Sequence, residues 1–147
     1  MKTCVLILEN LRSVENAASI FRTAEGLGVA KIILVGTTPT PLDRFGRKRA
    51  DFTKVSLGAE NIDWQYSKEI KPVLKELKEE EFQVIALEQT DKSENLRSFK
   101  TRETFVLIVG NEVGGVSKEA LDSCENIAEI PMRGKKASLN VSVSTGI

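Results

Sequence analysis

The chain contains no histidine, and only two cysteines, Cys4 and Cys124, in 147 residues. Ser-His-Asp and Cys-His hydrolases are therefore excluded. Any side-chain base must be Asp, Glu, Lys, Arg, Tyr or Cys. Two thiols without imidazole are too few donors for an ordinary zinc site, so no metal is expected. No apolar run approaches the roughly 20 residues needed to span a bilayer, so no membrane partner is expected either. The apolar stretch Cys4–Leu8 is short and runs into Glu9, which reads as a first strand rather than a signal peptide. Both cysteines read as buried thiols in a reducing compartment, and the cytoplasm is the expected location. Phosphate motifs are missing too: there is no Walker A spacing and no GxGxxG.

What is present is balanced. Lys and Arg number 21 and Asp and Glu number 21. The charges are unevenly spread. Arg44, Arg47, Lys48, Arg49 and Lys54 face only Asp43 and Asp51 locally, and Pro131 to Ser142 carries Arg133, Lys135 and Lys136 and no acid. The acidic surplus lies elsewhere, notably in Glu79–Glu81. A basic face can therefore exist without a basic total.

The length favours one domain, 1–147, with a core of its own. Strand patterns are predicted at Cys4–Leu8, Lys31–Val35, Ile62–Tyr66, Gln83–Leu87, Phe105–Val109 and Asn126–Ile130. Helical patterns are predicted at Asn16–Leu27, Asp51–Leu57, Glu69–Glu80, Ser117–Cys124 and from Ala137 onward. Ala17, Ile20, Phe21, Ala24 and Leu27 form the apolar stripe of the first helix, with Asn16 as a candidate N-cap. Ser117 is the expected cap of the fourth. The segment 36–49 is a loop, rich in Gly, Pro, Thr and Arg. Phe105–Val109 is uninterrupted and apolar, hence central and buried on both faces. This alternation gives an open, mostly parallel α/β sheet with helices on both faces.

Two segments place small polar residues at the ends of apolar strands, where open α/β sheets bind ligands. The first is Leu107-Ile-Val-Gly-Asn-Glu-Val-Gly-Gly-Val-Ser117, whose Gly110, Gly114 and Gly115 allow close backbone approach. The second is Ile130-Pro-Met-Arg-Gly-Lys-Lys-Ala-Ser-Leu-Asn-Val-Ser142. Each reads equally as a plain turn with a capped helix or as a ligand cradle. Asn16 and Arg22, on the first helix, read either as a cap and a solvated residue or as site residues.

Taken together, these segments resemble the SpoU/TrmH-like RNA 2′-O-ribose methyltransferases of the SPOUT superfamily. The match runs through Asn10–Gly28, then Val109–Ser117, then Ile130–Met132 with Ser138–Ser142, in that order; Ser56–Glu60 is similar to the family's middle segment. The resemblance covers essentially the whole chain. It implies a C-terminal trefoil knot, one of the rare exceptions to unknotted chain connection. It implies S-adenosylmethionine as cofactor, held by Leu87, Glu88, Gly110, Asn111, Glu112, Ile130, Pro131, Met132, Ser138, Leu139 and Asn140. It implies catalytic roles for Arg22, Asn16, Glu112, Ser138 and Asn140, and a homodimer in which Arg22 reaches the partner's cofactor site. The RNA is expected to be tRNA in preference to rRNA, met by Arg22, Arg44, Arg47, Lys48, Arg49 and Lys135. The family's last helix continues for several turns, so the chain is expected to be cut short in that helix. The alternative is a non-catalytic RNA-binding or assembly protein that keeps the fold.

Overall fold

The computed structural model describes residues Met1–Ile147. Seven parallel strands form one sheet in the order β3-β2-β1-β6-β4-β7-β5. They are β1 (Thr3–Glu9), β2 (Lys31–Val35), β3 (Trp64–Ser67), β4 (Gln83–Leu87), β5 (Glu94–Asn95), β6 (Thr104–Val109) and β7 (Asn126–Glu129). The helices are α1 (Val14–Gly26), α2 (Ala50–Ser56), α3 (Ile70–Glu79), α4 (Lys118–Ser123) and α5 (Val141–Gly146), with a 3-10 turn at Ala59–Asn61. The apolar strand β6 occupies the middle of the sheet, as its composition predicts.

Alternating side chains divide the core between the two faces. Leu6, Leu8, Ile32 and Leu34 meet Ala17, Ile20, Phe21 and Ala24 of α1 and Phe52 of α2. Val5, Ile7, Ile33, Val84, Val106 and Ile108 meet Ile70, Val73, Leu74 and Leu77 of α3 and Ala120 of α4. Phe21 and Phe52 lock α1 to α2 edge-on, with ring centroids 5.1 Å apart. The chain steps outward from β1 to β3 with its helices on one face. It returns through α3 on the other face, as right-handed crossovers require. After β7 it changes face again, because α5 packs against α1.

Three sequence expectations need correction. Ser13, not Asn16, caps α1: its side chain accepts from the Asn16 N–H at 3.1 Å. The Asn16 amide is thereby released for other contacts. The last helix begins at Val141 rather than Ala137, with Asn140 as its cap, accepting from the Ser142 N–H at 2.9 Å. Ser138 lies before the helix, outside any regular element. The strand expected from Ile62 begins at Trp64, since the 3-10 turn uses the preceding residues. The two-residue strand β5 carries no periodicity that could announce it.

The cysteines are half-buried rather than fully enclosed. Desolvation nevertheless pushes the Cys4 thiol up to about 11. Desolvation, reinforced by Glu9 and opposed by Lys78, pushes Cys124 up to about 12. Both thiols are therefore protonated, weak nucleophiles at neutral pH. Iodoacetamide at pH 7.5 is expected to label neither appreciably in the native protein and both after denaturation. Rapid native labelling of either would contradict the assignment.

Candidate active site

All strands being parallel, their carboxyl ends share one edge. At that edge β1 leads toward β2 on one side and β6 toward β7 on the other, which is a topological switch point. The turn after β6 is tightly built. Asn111 and Gly115 exchange both backbone hydrogen bonds, at 3.0 and 2.9 Å. The Asn111 side-chain oxygen accepts from the N–H groups of Val113 and Gly114, and its amide donates to the Asn10 carbonyl at 2.7 Å. Gly115 adopts φ +70°, and a Cβ there would meet a Glu88 carboxylate oxygen at 2.1 Å. A Cβ on Gly110 would lie 2.4 Å from the backbone of Gly115 and Val116. Both positions therefore demand glycine.

Glu112 leaves this turn and reaches the start of α1. It accepts from the Arg12 N–H at 3.1 Å and the Ser13 N–H at 3.2 Å, and from the Asn16 side-chain amide at 3.4 Å. The Asn16 oxygen in turn accepts from the Asn140 amide at 3.2 Å. The Asn140 oxygen accepts from the Ser142 hydroxyl at 2.6 Å. One continuous chain of side-chain hydrogen bonds thus ties the three sequence segments together: Ser142 to Asn140 to Asn16 to Glu112.

Burial pushes the Glu112 carboxyl upward. The backbone N–H groups of Glu112, Ser13 and Arg12, and then the Asn16 amide, more than offset this and hold it below the usual glutamate range. A lowered folded-state pKa means stability that is fully present above the unfolded value and lost as pH falls through the folded one. The difference in melting temperature between wild type and Glu112→Gln is therefore expected to shrink as pH falls from 6 to about 3, below the ordinary Glu pKa near 4.3. A difference that stays constant over that range would contradict an ionised Glu112 tie.

Behind the chain lies an open cavity of about 660 Å³. Ten residues expected at the cofactor site line it: Leu87, Glu88, Gly110, Asn111, Glu112, Ile130, Met132, Ser138, Leu139 and Asn140. Pro131 does not; it is exposed beside the cavity. Arg22 does not either. It is exposed on α1 and outside the cavity of its own chain. Lys135 is exposed and also absent from the lining.

The lining has a consistent electrostatic character. Glu88, Glu112 and Glu129 are present and no Lys or Arg is. Such a site disfavours phosphate and suits a ligand with positive charge. Glu88 has a further use that the sequence reading missed. Its carboxylate accepts from the Val116 N–H at 3.0 Å and the Gln89 N–H at 2.9 Å, tying the end of β4 to the glycine turn. Glu9 does the same at the end of β1: buried, it accepts from both the N–H and the hydroxyl of Ser117. The signal available in the sequence was an acid directly ending each of two apolar strands.

The basic loop stands at the same edge, after β2. Two of its cations are already paired. Arg47 binds Asp43 at 2.9 Å, and Arg49 binds Asp51 through two hydrogen bonds. Arg44 and Lys48 are exposed and form no ion pair.

The parallel sheet and the carboxyl-edge cavity define an α/β ligand-binding domain. The match is specific at the level of family: the SpoU rRNA Methylase family aligns with residues 3–147, and the chain belongs to it. A tRNA (guanosine(18)-2′-O)-methyltransferase from Aquifex aeolicus is 31% identical over 99% of this chain and 66% of its own length. A 23S rRNA (guanosine-2′-O-)-methyltransferase from Neisseria meningitidis is 29% identical over 97% of this chain and 55% of its own. An AdoMet-bound rRNA methyltransferase from Sinorhizobium meliloti superposes with a TM-score of 0.84 at 26% identity, over 98% of this chain and 53% of that one. The chain thus spans between about half and two thirds of these relatives.

Proposed function

We propose that this chain binds S-adenosylmethionine in the carboxyl-edge cavity and directs its methyl group to a ribose 2′-hydroxyl in RNA. The observation that carries the reading is the chain Ser142–Asn140–Asn16–Glu112, which assembles all three family segments around one cavity. The relatives' names supply the reaction class, since both a tRNA and an rRNA ribose methyltransferase are among them.

The residues present suit the cofactor. Leu87, Val109, Ile130, Met132 and Leu139 offer an apolar surface for an adenosine ring. The three carboxylates and the missing cations suit a sulfonium and argue against ATP or a dinucleotide. When bound, the cofactor supplies an activated methyl group. The protein's own task is then largely positioning. Gly110 and Gly115 let the turn close on its own backbone and on Glu88, which shapes one wall of the cavity, and Ser138 and Asn140 line it as well. Asn16 lies outside the cavity lining and is held between Glu112 and Asn140, which do line it, so it acts on the ribose by positioning those two.

Arg22 has no place in its own chain's cavity, so a catalytic role for it requires a second copy of the chain. The homodimer implied by the family resemblance supplies one. In it Arg22 either takes the hydroxyl proton, which requires its neutral form, or clamps the adjacent phosphate while the proton leaves to water or phosphate. Arg22→Ala is expected to lose most of the turnover, about a hundredfold, while calorimetry shows unchanged cofactor binding. Near-normal turnover would remove Arg22 from the mechanism.

The RNA-facing residues are Arg44, Arg47, Lys48, Arg49 and Lys135, with tRNA the preferred substrate. The C-terminal trefoil knot, the single-domain organisation of 1–147 and a cytoplasmic location belong to the same reading. It draws on the family resemblance and on the two unpaired cysteines. No helix is long and apolar enough to cross a membrane, and no cluster of side chains could hold a metal ion. Titration calorimetry tests the reading: S-adenosylmethionine is expected to bind and ATP is not. Binding of ATP in preference to S-adenosylmethionine would overturn it.

A further inference from the structure

The basic loop carries an aromatic residue that the reading above does not use. Phe45 is 66% exposed at the tip of a small hairpin. The hairpin is rigidly made. Leu42 and Lys48 form an antiparallel bridge, and the Asp43 N–H donates to the Arg47 carbonyl at 2.8 Å. An Asp43 carboxylate oxygen accepts from the N–H groups of Phe45 and Arg47, at 2.8 and 2.9 Å. Two guanidinium groups lie against the Phe45 ring, Arg44 at 4.7 Å and Arg47 at 5.0 Å from its centroid. The hairpin's base is fixed to the site. The buried Thr38 hydroxyl lies within hydrogen-bond distance of the Leu8 and Val35 carbonyls and accepts from the Leu11 N–H. The next residue but one, Ser13, is one of those that hold Glu112.

Phosphate binding alone needs cations and no aromatic ring. The exposed Phe45 ring already takes guanidinium groups over it, on π-surface where a nucleobase can replace one of them, and such surfaces take up bases that are splayed out of a helix. We infer that the Phe45 hairpin is a stacking platform for an unpaired nucleobase of the RNA, with Arg44 contacting the neighbouring phosphate. The substrate segment is then a loop or single strand rather than continuous duplex. This inference rests on the RNA-directed reading of the site.

The test uses two fluorescein-labelled probes with the 147-residue chain: a nine-nucleotide single-stranded RNA containing 2-aminopurine and a twelve-base-pair RNA duplex. Anisotropy reads affinity, and 2-aminopurine quenching reads stacking. Phe45→Ala is expected to weaken single-strand binding about tenfold, to abolish the quenching and to leave duplex binding within about twofold. Phe45→Trp is expected to restore both single-strand signals. S-adenosylmethionine affinity is unchanged in both variants, which shows that the fold is intact. Equal losses on both probes, or no loss on the single strand, would overturn the platform while leaving the RNA reading standing. Wild-type protein that binds neither probe would overturn both.

Discussion

Gly110→Ala is expected to abolish measurable S-adenosylmethionine binding and to destabilise the protein by about 3 kcal/mol. The reason is geometric. Gly110 is buried at the end of β6, and an added Cβ would sit 2.4 Å from the carbonyl group of Gly115 and the nitrogen of Val116. These are backbone atoms, so no rotamer change relieves the clash. Relief requires opening the paired hydrogen bonds between Asn111 and Gly115. That moves Glu112 away from Arg12 and Ser13 and displaces one wall of the cavity. Gly114→Ala is the matched control, since its added Cβ has nothing closer than the Asn111 side chain at 3.7 Å. It is expected to bind the cofactor within a few-fold of wild type. Chemical denaturation and calorimetry on the two variants check the contrast; equal behaviour would sink the account of the turn.

Asn16→Ala is expected to reduce turnover by about a hundredfold, because small displacements of a positioning group carry penalties of that size. Its effect on stability is expected to be smaller, about 1 kcal/mol, the net worth of an ordinary hydrogen bond. Asn16 is the one side chain that meets both Glu112 and Asn140, donating to the first and accepting from the second. Its loss separates the cap of α5 from the start of α1. Asn16→Asp is the sharper variant. It still accepts from Asn140, but it sets a second carboxylate against Glu112 in place of a donor. It is expected to be worse than alanine at neutral pH and to improve relative to alanine as the pH is lowered toward 5. A rate for Asn16→Asp at neutral pH equal to wild type would show that donation to Glu112 is unimportant.

Much of the fold is legible in the sequence because its signals are local. The stripe from Ala17 to Ala24, the β-branched run Lys31–Val35 and the apolar run at β6 each determine one element without help from the rest. The cap of α1 was misplaced because Ser13 and Asn16 are both good capping residues three positions apart. Only the hydrogen bond from the Asn16 N–H to Ser13 decides between them. The strand β5 was missed because two polar residues carry no period.

The site was legible as three motifs but not as a mechanism. Its contacts span 96 residues between Asn16 and Glu112 and 124 between Asn16 and Asn140, distances at which sequence spacing says nothing. Charge was legible only in outline. Lys135 lies between the two parts of the third motif, yet it is exposed and outside the cavity lining, which holds no cation. Arg47 and Arg49 look like free charge until Asp43 and Asp51 are seen to hold them. Arg22 is the clearest case. Its helix position was plain, and its distance from its own cavity was not.

The account is tested most directly by incubating the protein with methyl-tritiated S-adenosylmethionine and total RNA from cells lacking the gene, then digesting the RNA to nucleosides. Tritium is expected in one 2′-O-methylated nucleoside, with no incorporation into RNA from cells that carry the gene. Label confined to base-methylated nucleosides, or no label in any RNA, would contradict it.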